Sequence, residues 1–156
     1  MAAPYETLSS SLGLRYNEQG QPIGKALDDW KPCFRLPDAI LTGRYCQVVP
    51  FTISHVAALH EAYSHDNSLW TYMPFGPFDS ADELKATTLD RMMTGGFQTF
   101  VIMSLADKQP IGQSSYMRYD LANGSVEIGA VSFSPALKRS TIATEAMYLM
   151  MKHAFD

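Results

Sequence analysis

Glu127 stands in the run Ser-Val-Glu-Ile-Gly-Ala-Val-Ser-Phe over residues 125–133, where most of its neighbours are apolar. A carboxylate there is out of place unless it is paired or used. Desolvation raises a carboxyl pKa, and a carboxylate moved toward neutrality is a better general base for an ammonium that must lose a proton before it can attack. The competing reading is an inter-strand ion pair, for which Arg118 at the end of the preceding strand is the obvious partner. Beyond the run lie Lys138, Arg139, Ser140 and Thr141, and then a helical pattern begins. The first N–H groups of a helix lack internal partners, and the macrodipole adds positive potential there, so such a start suits an anion such as a pyrophosphate. A basic solvated turn before an ordinary helix is the alternative. Trp70, Tyr72, Phe75 and Phe78, with Tyr116 on a later strand, are candidates to wall a pocket, although aromatic side chains more often build a core. His55, His60 and His65 are spaced by five, so consecutive pairs diverge on a helix and do not share a face as i, i+4 ligands would. Glu61 and His65 do share a face, but two ligands on one turn make a poor metal site, and no metal is expected. No nucleophile elbow and no phosphate-binding fingerprint is present: Gly112-Gln113-Ser114-Ser115-Tyr116 lacks the closing glycine, and Gly95-Gly96 ends a helix before a strand.

The elements that must position these residues follow from periodicity. Residues 1–38 carry Gly13, Gly20 and Gly24, Pro4, Pro22, Pro32 and Pro37, and no regular period, and read as an irregular N-terminal arm with Trp30 and Phe34 as anchors. The domain proper is expected over 39–156. Residues 44–49 predict a first strand closed by Pro50, and 54–63 a helix with Ser54 as N-cap. Residues 69–78 are aromatic and broken by Pro74, Gly76 and Pro77. Ser80 and Glu83 form a capping box for a helix that stops at Gly95-Gly96. Three strands in a meander are predicted over 97–105, 111–118 and 125–133, the last two joined by a turn around Asn123-Gly124. The final helix starts near Thr141. It carries a polar stripe of Glu145, Tyr148, Lys152 and Asp156 opposite Ala143, Met147, Met150 and Ala154.

Bulk properties narrow the class. The 156 residues suffice for one domain with a real core. A net charge of −4, with 12 basic against 16 acidic residues and no basic run, argues against nucleic acid as the main partner. No stretch is long and apolar enough to span a membrane, and the N-terminus does not have the pattern of a secretory signal. Cys33 and Cys46 match neither a redox pair nor a zinc knuckle, and two unpaired thiols suit a reducing compartment, most simply the cytosol.

The order strand, helix, helix, three strands, helix resembles the GNAT superfamily of acetyl-CoA-dependent N-acyltransferases. VEIGAVSFSP (126–135) resembles the central strand of the branch that acetylates ribosomal-protein N-termini, ATEAM (143–147) the opening of its next helix, and WTYMPFGPF (70–78) the region between its first two helices. The resemblance covers about 40–156. It implies an α+β sandwich with a mixed, mainly antiparallel sheet and flanking helices. It also implies acetyl-CoA as co-substrate and a primary amine, protein N-terminus or small molecule, as acceptor. The backbone of Val131, Ser132 and Phe133 would pair with pantetheine. Lys138, Arg139, Ser140, Thr141, Ile142, Ala143 and Thr144 would hold the pyrophosphate. Glu127 would be the general base, and Trp70, Tyr72 and Tyr116 would meet the acceptor. In the family a turn of the type Gln/Arg-x-x-Gly-x-Gly/Ala precedes the helix. Here Ala136, Arg139 and Thr141 occupy those three positions, so charge takes over from close backbone approach. The family's chain continues past this helix into further strands and a helix, so the domain is expected to be C-terminally incomplete, with an open sheet edge available for association. A non-catalytic acyl-CoA- or protein-binding module of the same fold is the alternative.

Overall fold

The computed structural model describes residues 15–156, so the part of the predicted arm before Arg15 lies outside the described residues. The chain divides into two compact units, Met1–Lys31 and Pro32–Asp156. In the first, β1 (Arg15–Tyr16) and β2 (Pro22–Ile23) pair antiparallel. The Asn17 side chain closes their connection by accepting from the Gln19 and Gln21 N–H groups, a self-bonding turn residue of the kind Asn favours.

In the second unit, β3 (Leu41–Thr42), β4 (Cys46–Pro50), β5 (Gln98–Ser104), β6 (Pro110–Asp120) and β7 (Ser125–Phe133) form one sheet. Its order is β3-β4-β5-β6-β7, antiparallel throughout. This is a mixed α+β fold with antiparallel strands and flanking helices. α1 is Val56–Ser64, α2 is Ala81–Lys85 and runs on as a π-helix over Ala86–Met93, and α3 is Thr141–Phe155. Alternation along the strands sends successive side chains to opposite faces. Val48, Phe100, Ile102 and Tyr116 pack with Ala146 and Met150 of α3 on one face. Val101 packs with Leu59 and Tyr63 of α1, Leu84 of α2 and Trp70 on the other.

Local capping agrees with the sequence at α2 and departs from it at α1. Ser80 Oγ accepts from the Glu83 N–H at 3.2 Å, and Glu83 reaches back one residue further than expected, to the Asp79 N–H at 2.9 Å. Before α1 the cap is Thr52 and not Ser54: its N–H donates to His55 Nδ1 at 3.0 Å and opens a short 3-10 turn, Ile53–His55. Residues 32–38, expected to belong to the arm, lie in the second unit. The Cys33 N–H bonds the Leu121 carbonyl, and Gln98 Nε2 bonds the Leu36 carbonyl and the Asp38 carboxylate. Phe34, an expected anchor, is 92% exposed.

Candidate active site

The last third of β7, the turn before α3 and the first turn of α3 carry most of the predicted residues, and the structure brings them together. Ser134 closes the turn, its carbonyl accepting from the N–H groups of Leu137 and Lys138. Leu137 is fully buried and anchors the turn to the core, while Lys138 and Arg139 are left at the surface. Arg139 has φ +56. This is the position at which the family's turn carries glycine, and the backbone adopts the glycine-type conformation here with an arginine in place. Arg139 makes no ion pair among the described residues. Lys138 does, through Nζ to Asp66 Oδ2 at 2.8 Å.

Ser140 is the N-cap of α3. Its Oγ accepts from the Ala143 N–H at 3.1 Å and donates to the Leu137 carbonyl at 2.7 Å. The hydroxyl is therefore consumed in capping and is not the spare phosphate donor its type suggested. The N–H groups of Thr141 and Ile142 are those for which the helix supplies no carbonyl, and Thr141 and Thr144 are exposed.

β7 reaches this turn through a bulge. From Glu127 to Gly129, which pair with Met117 and Ser115, the register is regular; beyond it Ser132 pairs with Gln113 and Phe133 with Gly112, so Ala130 and Val131 together oppose Ser114. Ala130 sits at φ +50. Such bulges bend a strand and leave a residue out of the ladder, here directly before Val131, Ser132 and Phe133. No feature of the composition announced it. α1 is pinned to the same place: the Tyr63 hydroxyl donates to the Ser132 carbonyl at 3.2 Å. Burial pushes the Tyr63 phenol well above its ordinary pKa, the Gln113 N–H acting in the opposite sense. Gln113 Oε1, Ser132 Oγ and Ser134 Oγ are buried and without hydrogen-bond partners; Thr88 Oγ1 is the one other such side-chain atom among the described residues. Buried polar atoms are nearly always bonded. Three orphans at the junction of β7 and the turn mark a place suited to a polar ligand.

Glu127 is elsewhere on β7 and differently placed than its neighbours implied. Its side chain is 43% exposed and its Oε2 is 2.7 Å from Arg118 Nη1. It faces away from α3, opposite Met117, at a sheet edge that solvent reaches. The apolar burial expected around it is absent, and the inter-strand ion pair is formed. Arg118 reaches it from φ +48, in a second bulge at the end of β6.

The three aromatic candidates are not brought together. Trp70 is buried at the centre of an edge-on cluster with Tyr63 at 5.3 Å and Phe78 at 4.9 Å. Tyr72 is 97% exposed. Tyr116 lies on the opposite face of the sheet from Trp70, fully buried, its hydroxyl donating to the Met150 carbonyl at 2.7 Å. The expected pocket wall is thus core at two positions and solvent at the third. A cleft of about 350 Å³ does open at the end of the sheet away from the turn, lined by residues that include Arg35, Asp38, Phe51, Phe97 and Thr99.

Glu145 was expected on a solvated stripe and is instead a clamp. Its carboxylate accepts from three consecutive N–H groups, Arg44 at 2.7 Å, Tyr45 at 2.7 Å and Cys46 at 2.9 Å. Gly43 makes this possible, because a Cβ there would lie 2.4 Å from the Glu145 carboxyl carbon. The first turns of α3 are thereby fixed to the start of β4. Burial, the Glu145 hydrogen bond and its charge together push the Cys46 thiol up to about 12, so it stays protonated and inert.

Residues 47–156 match the acetyltransferase (GNAT) domain family, and the chain belongs to that family. Among solved structures, a GNAT-family protein from Chromobacterium violaceum is 33% identical with a TM-score of 0.77, covering 86% of this chain and 69% of its own. A GCN5-related N-acetyltransferase from Brucella melitensis is 28% identical with the same TM-score of 0.77, covering 83% and 60%. A spermidine N-acetyltransferase from Vibrio cholerae, in complex with CoA and spermine, is 16% identical with a TM-score of 0.55, covering 71% and 64%, and shows likeness of fold. No curated protein matches. The chain thus spans between three-fifths and seven-tenths of the length of these relatives.

Proposed function

We propose that this chain binds acetyl-CoA at the junction of β7, the turn over residues 134–140 and the N-terminus of α3, and serves acetyl transfer to a primary amine. The observation that carries the reading is Arg139 at φ +56. The backbone is left-handed at the position where the family's turn carries glycine, and an arginine stands there, which supports a turn that meets phosphate with charge. Arg139, the N–H groups of Thr141 and Ile142, and the hydroxyls of Thr141 and Thr144 would hold the pyrophosphate. Lys138 joins them when it leaves Asp66. Val131, Ser132 and Phe133, set apart from the regular ladder by the bulge, would meet pantetheine. The coenzyme supplies the acetyl group as a thioester. A protein N-terminus of the ribosomal-protein type is the acceptor that VEIGAVSFSP and ATEAM favour, with polyamines next because of the spermidine-acetylating structural relative. The cytosol is the compartment that the free thiols of Cys33 and Cys46 suit. Association with a further segment or chain would use β7, which forms one edge of the sheet.

Glu127 would be the general base. Its ion pair and exposure favour a second reading, a module that binds the coenzyme without turnover. One experiment separates the two: calorimetric titration with CoA, together with thiol release from acetyl-CoA in the presence of N-terminal peptides and spermidine. Binding with turnover that Glu127→Gln slows, at unchanged CoA affinity, supports the enzyme. Binding without turnover supports the module. Absence of CoA binding overturns both.

A further inference from the structure

Asp66 ties the phosphate turn to the aromatic loop with a single carboxylate. Oδ2 accepts from Lys138 Nζ at 2.8 Å, and Oδ1 accepts from the Ser68 N–H at 2.9 Å, capping the short helical turn Asn67–Trp70. That turn ends on Trp70, the hub of the Tyr63, Phe75 and Phe78 cluster. The 2.8 Å contact with Lys138 is the distance at which a charge-assisted bond to a phosphate oxygen would form. Lys138 and Asp66 are each about one-third exposed, and ion pairs with that much access to water are weak and exchangeable.

Resting on the acetyl-CoA reading above, we infer that Asp66 is a positioning residue that couples coenzyme binding to the aromatic loop: a phosphate of the coenzyme takes Lys138 from Asp66, and the freed carboxylate resets the Asn67–Trp70 turn and the loop beyond it. The exchange makes and breaks only ionic hydrogen bonds. The pyrophosphate as a whole carries more charge and more acceptor oxygens than one carboxylate, so it wins Lys138. A carboxylate left beside a phosphate is repelled, which drives Asp66 away and not merely loose. The loop between α1 and α2 therefore has one setting without coenzyme and another with it.

The chain contains two tryptophans, and Trp30 belongs to the N-terminal unit, so Trp30→Phe leaves Trp70 as the reporter. In that background, CoA is titrated by calorimetry and by Trp70 emission in parallel, with circular dichroism recording the fold of each variant. The expected result is an emission change with the same midpoint as the heat. Asp66→Asn keeps a capping side chain and loses the charge. It is expected to bind CoA two- to five-fold more tightly, with Trp70 emission already near its ligand-bound value. Asp66→Ser, also a good cap, repeats the test should the Asn variant misfold. Lys138→Gln is expected to shift the ligand-free emission in the same direction while weakening CoA binding. CoA heat with flat Trp70 emission, unchanged or weaker affinity in the Asp66 variants, or unchanged affinity in Lys138→Gln overturns the coupling while sparing the coenzyme site. Absence of heat overturns the coenzyme site and the coupling with it.

Discussion

Removing the Glu145 carboxylate should cost this domain a large part of its stability, although the residue lies on a partly solvated helix face. Three N–H groups depend on it. Cys46 is fully buried, so its N–H has no water to turn to, whereas Arg44 and Tyr45 are exposed and recover hydration. A buried charge-assisted bond is worth about 2 kcal/mol net and each exposed one about 0.5, so Glu145→Ala should lose about 3 kcal/mol. At about 3 °C per kcal/mol for a domain of this size, that lowers Tm by about 10 °C. Glu145→Gln keeps the shape but turns an NH2 toward N–H donors, and should lose most of the same amount. Burial pushes the Glu145 carboxyl up, but the N–H groups of Tyr45, Arg44 and Cys46 outweigh it and hold the pKa below the ordinary carboxylate value. The sign follows from that depression. The stabilisation is complete above the unfolded pKa of about 4.3 and fades as pH falls through the lower native value. Thermal melts of wild type and Glu145→Gln from pH 8 to 3 test this. Their separation should stay constant down to about pH 5 and narrow below about pH 4, where protonation reaches the unfolded chain first. A Gln variant melting within about 2 °C of wild type, or a separation that ignores acid, would refute the clamp.

Two further substitutions probe the site. Arg139→Gly should relieve an αL penalty of about 1–2 kcal/mol, offset in part by glycine's entropy cost of about 0.5–1 kcal/mol. Tm should therefore rise by a few degrees while calorimetry shows weaker CoA binding; a fall in Tm would contradict the strained turn. Gly112→Ala places a Cβ 2.5 Å from Leu137 Cδ2 and 2.9 Å from the Ser132 carbonyl oxygen. It should destabilise by about 1–3 kcal/mol in a urea melt and weaken CoA binding by displacing the turn; a neutral result would mean that β6, β7 and the turn part easily.

What the sequence made legible is what depends on near neighbours. The α2 capping box, the strands over β5, β6 and β7 and the start of α3 rest on spacing within a few residues, and each appears within a residue or two of its expected limits. The Arg118–Glu127 pair was visible as an alternative because the two strands are joined by a short turn. The Glu145 clamp was not, since its three donors lie about a hundred residues away and periodicity alone files a glutamate on a helix with the solvated side. Asp66 was hidden for the same reason: a carboxylate after a helix reads as surface until the fold brings Lys138 to it. The aromatic run misled in a different way. Its composition is equally that of a pocket and of a core, and only the packing of Trp70 between Tyr63 and Phe78, with Tyr72 outside, decides between them.

The bulge at Ala130 also changes what a length change would do to β7. Before it, even-numbered residues, Val126 and Ile128, face α3; after it, the odd-numbered Phe133 does, and Ser132 turns with Gln113 to the other side. The strand is written in two reading frames joined at one residue. Deleting Ala130 would leave every remaining side chain chemically unchanged and still straighten the ladder. Val131 alone would then oppose Ser114, while Ser132 and Phe133 would keep Gln113 and Gly112 as partners and keep their faces, so what is lost is the bend that the bulge gives the strand before the turn. A deletion elsewhere in β7 would turn the rest of the strand over, so the bulge should be the place where this strand best tolerates a missing residue.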